Sequence, residues 1–115
     1  MAAKQFEIWL ANIDPRFGTE AGKTQPVLVV QTDLLNKFHP STLICPLTSN
    51  LKAESQILRV NINKGVALVK EDCAIMIDQL RTIDNKRFIK KIGKLPGDIS
   101  NKVKENLKII LDLDE

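Results

Sequence analysis

Short apolar runs follow one another along this chain, each too brief for a helix and closed by turn-forming residues, until the pattern changes at Pro96. That spacing leaves little choice of fold. Phe6, Ile8 and Leu10 alternate with Glu7 and Trp9, the pattern of a half-buried strand that ends at an Asp14-Pro15 turn. Residues 26 to 32 are almost continuously apolar, as in a central strand. Leu43-Ile44-Cys45-Pro46-Leu47 reads as a third strand, whose proline marks an edge or a bulge because it cannot donate to a ladder. Ile57, Leu58, Val60 and Ile62 form a fourth, Cys73 to Leu80 a fifth, and Phe88, Ile89 and Ile92 a short sixth. Asp33 to Phe38 has the composition of one or two helical turns, with Asp33 capping its own N-terminus.

After the Pro96-Gly97-Asp98 stop and cap, Ile99, Val103, Leu107, Ile110 and Leu111 recur at near-helical spacing. The expected fold is therefore mainly β with one amphipathic C-terminal α-helix packed on the sheet. Closely spaced strands with almost no helix between them argue for a barrel or a strongly bent antiparallel sheet, and against alternating β and α units.

The 115 residues suit a single domain over residues 1–115, long enough to bury about two thirds of the unfolded surface. With 43% hydrophobic and 27% charged residues, the composition is globular and excludes the disordered class. No uncharged run is long and apolar enough for a bilayer, and an N-terminus carrying Lys4 and Glu7 lacks a signal-peptide core, so a soluble, cytoplasmic protein without membrane contact is expected. Cys45 and Cys73 show neither CxxC spacing nor a nearby histidine, which points to buried free thiols and to no metal site. His39, before Pro40, reads as a surface histidine. The net charge of +3 is unevenly placed, since six cations and one anion, Asp84, fall between Arg81 and Lys94. Such a run either tracks phosphates or forms a solvated strand face.

Gly18 to Pro26 is a polar, glycine-punctuated loop feeding the strand Val27-Leu28-Val29-Val30. Gly18 and Gly22 leave it free internally, while Pro26 anchors its end. Thr19, Glu20, Lys23, Thr24 and Gln25 present a carboxylate, an ammonium, hydroxyls and an amide. Locally this fits an ordinary solvated hairpin loop as well as a ligand site.

Five blocks taken in order carry a resemblance: Glu7-Ile8-Trp9-Leu10 with Asp14-Pro15; Gly18 to Pro26; Pro46-Leu47-Thr48-Ser49-Asn50-Leu51; Asp78-Gln79-Leu80-Arg81-Thr82-Ile83-Asp84; and Ile92-Gly93-Lys94-Leu95. Together they resemble the MazF/PemK family of toxin endoribonucleases across nearly the whole chain. The resemblance implies an SH3-like barrel with a C-terminal helix, usually a homodimer, that cleaves single-stranded RNA without metal or other cofactor and is silenced by a cognate antitoxin. It also implies catalytic roles for Thr48 at a strand end and Glu20 in the loop. The position before the loop's proline, an arginine in family members, is Gln25 here.

An amide can hydrogen-bond a phosphate but brings no net charge, whereas a guanidinium brings a permanent one in a bidentate fork. Lys23, Arg16, Lys52 and Arg81 are the candidate substitutes. Further RNA contacts implied by the resemblance are Thr24, Ser49, Asp78, Gln79 and Arg81. For Thr48 the bland alternative is a hydroxyl capping the Ser49-Asn50 turn; for Arg81 it is a brace within the barrel. Two other functions remain open: a binding module for RNA or antitoxin with weakened catalysis, which Gln25 favours, and a gyrase-directed toxin on the same scaffold, which Thr48 and Glu20 disfavour.

Overall fold

The computed structural model describes residues 2–13, 24–51 and 58–113. In chain order it places β1 (Glu7–Asn12), β2 (Thr24–Val29), α1 (Asp33–Asn36), β3 (Ser41–Thr48), β4 (Arg59–Ile62), β5 (Cys73–Met76), β6 (Arg81–Asp84), β7 (Phe88–Lys94) and α2 (Gly97–Ile110). Short 3₁₀ turns occur at Val66–Leu68, Ile77–Gln79 and Asn85–Arg87. The seven strands form one antiparallel sheet in the order β4-β5-β3-β2-β1-β7, with β6 paired to β3.

β3 is the pivot. Along one edge it pairs through Ile44, Cys45 and Pro46 with β2; along the other it serves β6 with Ser41 to Ile44 and then β5 with Leu47 and Thr48. Pro46 thus lies inside a central strand, contrary to the edge or bulge that its missing donor suggests. It is tolerated because Cys45 and Pro46 fall between the β6 and β5 pairings, where that edge of the ladder is already interrupted. The same change of partner splits the expected fifth strand. β5 ends at Met76, the chain turns through Ile77–Gln79, and Arg81–Asp84 becomes a strand of its own on another stretch of β3.

Both faces of the central strands are apolar. Ile8, Leu28, Cys45 and Leu47 point into the larger core, with Val60, Ile62, Ile75, Ile77 and Val103 of α2. Trp9, Ala11, Val27, Val29 and Ile44 point the other way, into a smaller core completed by Ala3, Ile13 and Ile83. This two-sided burial explains the near-continuous apolar run of β2, and it corrects the half-buried reading of β1. Glu7 and Trp9 are not on a solvent face: they are 6% and 5% exposed. Trp9 meets Phe88 edge to face, with ring centroids 5.5 Å apart, a geometry worth about 0.5–1.5 kcal/mol beyond area burial.

α2 buries Val103 fully and packs Ile99, Leu107 and Ile110 against the larger core, as the spacing predicts, whereas Leu111, the fifth residue of that set, is the C-cap and lies exposed. Both helix caps differ from expectation. Thr32, not Asp33, is the N-cap of α1, its hydroxyl accepting from Leu34 N at 3.3 Å. Asp33 instead accepts from the Gln5 backbone and from Asn36, both at 2.8 Å, so its carboxylate ties the N-terminal segment to α1. The N-cap of α2 is Pro96, and Asp98 lies within the first turn, where a carboxylate favours the positive end of the helix dipole. Cys45 and Cys73 are buried free thiols, as expected. Asp14-Pro15 and Ile57 lie outside the described residues.

Candidate active site

Where the larger core reaches the end of the sheet, it opens into a cleft of about 880 Å³. Its apolar floor is built by register: Leu10 of β1 pairs with Pro26 of β2 on one side and Lys90 of β7 on the other, so one row crosses three strands. Leu47, Val69 and Ile92 extend the floor. The rim is polar. Thr24 and Gln25 contribute from the start of β2, Thr48 and Ser49 from the end of β3, Lys70 and Glu71 from the segment before β5, and Lys90 and Lys91 from β7.

Four sequence-predicted residues, Thr24, Gln25, Thr48 and Ser49, therefore share one cleft. Thr48 Oγ1 accepts from the Asn50 backbone N–H at 3.1 Å, which makes the turn-capping contact real. A hydroxyl that accepts one bond still has its own proton to give. Gln25 is half-buried, and its Nε2 donates to the Leu47 carbonyl at 2.6 Å, tying β2 to β3 one residue before Thr48.

Asp78, Gln79 and Arg81 stand apart from this cleft. Asp78 and Gln79 are exposed in the turn after β5. Arg81 Nη1 donates to the Ile13 carbonyl at 3.0 Å, and Arg87 Nη1 to the Asn12 carbonyl at 3.0 Å, so two arginines clamp the end of β1. That is the brace role foreseen for Arg81. Glu20, Lys23, Arg16 and Lys52 lie outside the described residues.

Lys70 and Glu71 are cleft residues that the sequence did not single out, while Lys90 and Lys91 belong to the basic run between Arg81 and Lys94. β7 carries register shifts against β1 between Ile8 and Trp9 and between Leu10 and Ala11. Bulges break the two-residue alternation, so adjacent lysines can reach the same opening. The basic run was a signal for Lys90 and Lys91; nothing in the sequence marked Lys70.

The charges at the rim are not equivalent. Lys91 Nζ lies 3.0 Å from Glu7 Oε2, and Glu7 Oε1 accepts from the Trp9 indole and the Lys4 backbone, each at 2.9 Å. Burial pushes the Glu7 carboxyl upward, but these hydrogen bonds and the Lys91 ammonium outweigh it and hold it below its ordinary value. Lys70 and Lys90 form no ion pair among the described residues. Cys73, also lining the cleft, is a poor nucleophile, because burial first and then Glu71 and Asp72 raise its thiol. Burial, aided by Asp78, pushes the Cys45 thiol up to about 12. Among the described residues no group of three His, Cys, Asp or Glu side chains is arranged to hold a metal ion.

Residues 4–111 match the family described as "PemK-like, MazF-like toxin of type II toxin-antitoxin system". The chain belongs to this family. It is 33% identical over 113 residues to the Endoribonuclease EndoA of Bacillus subtilis (strain 168), covering 98% of this chain and 97% of that protein. Solved structures repeat the fold at lower identity. The Mycobacterium tuberculosis toxin MazF-mt6 superposes with a TM-score of 0.79 at 19% identity, covering 95% of this chain and 99% of that one. A chain of the MazE-MazF crystal structure (Form-II) from Deinococcus radiodurans gives 0.80 at 22% identity, covering 99% of both chains. The bent antiparallel sheet with its C-terminal helix is thus the MazF fold. No helix among the described residues is long and apolar enough to cross a membrane.

Proposed function

We propose that this chain, as one toxin domain over residues 1–115, is a cytoplasmic endoribonuclease of a type II toxin-antitoxin pair. It acts as a homodimer and cuts single-stranded RNA at selected sequences. The observation that carries the reading is the meeting of Thr48, Gln25, Thr24 and Ser49 at one cleft with a mostly cationic rim.

In this reaction the ribose 2′-OH attacks the adjacent phosphorus, its proton passing to a base. The P–O5′ bond then breaks, the 5′-oxygen takes up a proton, and the upstream fragment keeps a 2′,3′-cyclic phosphate. The nucleophile is the substrate's own hydroxyl, so no water has to be activated, and the reading assigns proton transfer and charge stabilisation to side chains. Thr48 donates a hydrogen bond from its hydroxyl to a phosphate oxygen, and Glu20 is the base or orients it. Gln25 ties the start of β2 to the end of β3 through the Leu47 carbonyl, beside Thr48. Trp9 is buried and aromatic residues are few, so hydrogen bonds and charge dominate RNA recognition, and affinity falls with salt. A cognate antitoxin as partner is supported by relatives of the same fold: one is titled as an endoribonuclease in complex with its cognate antitoxin, others as MazE-MazF.

Incubation of the purified protein with a defined single-stranded RNA in chelator should release fragments ending in a 2′,3′-cyclic phosphate. Thr48→Ala should slow release about a hundred- to a thousandfold, the usual cost of one well-placed donor; an unchanged rate removes Thr48 from the mechanism. The second reading, a module that binds RNA or antitoxin with weakened catalysis, rests on the neutral Gln25 amide and its engagement by Leu47. RNA that stays bound yet uncut at enzyme excess would establish it.

A further inference from the structure

The cleavage chemistry needs positive charge beside the phosphate, and the position that would supply it holds a neutral side chain. Gln25 Nε2 is bonded to the Leu47 carbonyl at 2.6 Å, which makes Gln25 a positioning residue that fixes the end of β3. Arg81 is engaged with Ile13 and does not line the cleft. Among the described residues three cations line the rim, and of these Lys91 is held by Glu7 at 3.0 Å. Lys70 and Lys90 remain, both exposed and without an ion pair among the described residues. Among the described residues the one carboxylate lining the cleft is Glu71.

Register places Lys90 usefully. It pairs with Leu10, which pairs with Pro26, the residue after Gln25. Two strand spacings separate Lys90 from Pro26, about 10 Å across the floor, a gap that a lysine side chain and a bound phosphate fill together. We infer that Lys90 and Lys70 bind the RNA phosphate and supply the charge that Gln25 lacks. This rests on the RNA-cleaving reading above, but its binding arm is independent of cleavage.

The test compares wild type, Lys70→Ala/Lys90→Ala, Lys90→Arg, and Lys102→Ala as a control for net charge on the exposed face of α2. In single-turnover cleavage the double variant should fall at least a hundredfold, while Lys90→Arg and Lys102→Ala stay within a few fold. Adding Gln25→Arg to the double variant should recover at least tenfold, because a guanidinium returns the missing charge. In parallel, anisotropy of an RNA with a 2′-deoxy scissile nucleotide gives the salt slope of binding, expected to fall by about 0.7 for each lysine removed. Because both lysines are exposed, circular dichroism and the thermal midpoint should be unchanged. A double variant that cleaves within threefold of wild type, or a salt slope that does not move, overturns the assignment. A wild type that binds with the lysine-dependent slope but never cuts overturns the nuclease reading and leaves the cation assignment standing.

Discussion

The two faces of β1, β2 and β3 are built from the same alternating residues, yet one is sealed and the other opens to solvent. On the smaller face Trp9 is covered by Phe88, and Glu7, the only buried carboxylate among the described residues, has three donors around it. On the larger face the floor of Leu10, Pro26 and Leu47 ends in a rim where two lysines have no anionic partner among the described residues. Buried polar groups are tolerable only when satisfied, and unsatisfied charge is tolerable only in contact with water or a ligand. The sealed side therefore carries stability, and the open side is the one on which the proposed RNA binding rests.

The strongest way to break this division is to truncate one residue on each side. Trp9→Ala should cost about 3–5 kcal/mol, since it removes a buried aromatic, its edge-to-face partner and the donor to Glu7. Leu68→Ala, on a residue 71% exposed at the cleft, should stay within about 0.5 kcal/mol. Urea unfolding measures both, and comparable losses would mean that the cleft wall is part of the core.

Gly93 tests how the cleft wall is fixed. The turn Val66–Leu68 holds Ala67 and Leu68 at φ 52° and 64°, in the left-handed region that ordinary residues avoid. It is pressed against β7 so closely that a Cβ at Gly93 would sit 2.1 Å from the Ala67 carbonyl oxygen. A backbone obstacle cannot swing aside. Gly93→Ala should cost about 1–3 kcal/mol as overpacking, and it should displace Leu68 and Lys70 at the rim. A variant as stable as wild type in urea would show that the turn yields freely.

What was legible in the sequence follows the range of the interactions. Local periodicity gave α2, the central run of β2 and the buried thiols, because each depends on residues within a few positions. Pairing was not legible. Pro46 is compatible with a central strand only because β3 changes partners beside it, and that depends on β5 and β6 far along the chain. The site divides in the same way. Thr48 and Gln25 were reachable through the resemblance, since they sit in contiguous blocks. Lys70 and Lys90 come together through the register of β7 with β1 and the packing of the turn before β5; the basic run marked Lys90, and no local pattern marked Lys70.

Lys91 belongs to both regions, lining the cleft while its ammonium holds Glu7, and it should give the smallest and most discriminating effect. Because the Glu7 carboxyl lies below its ordinary 4.5 in the folded protein, its contribution to stability is fully present above that pH. The contribution is lost as pH falls through the lower folded value. Lys91→Met removes one source of that lowering and leaves the Trp9 and Lys4 hydrogen bonds in place. With the lysine side chain 48% exposed, the loss near neutral pH should be at most about 1 kcal/mol, and the acid limb of the stability profile should move to higher pH. Cleavage should fall less than in the Lys70 and Lys90 variants, because the Lys91 charge is already engaged. Thermal midpoints from pH 3 to 7 with parallel cleavage rates measure both quantities. An unmoved acid limb with a large loss of cleavage would place Lys91 on the binding side alone and erase the boundary between the two faces at this strand.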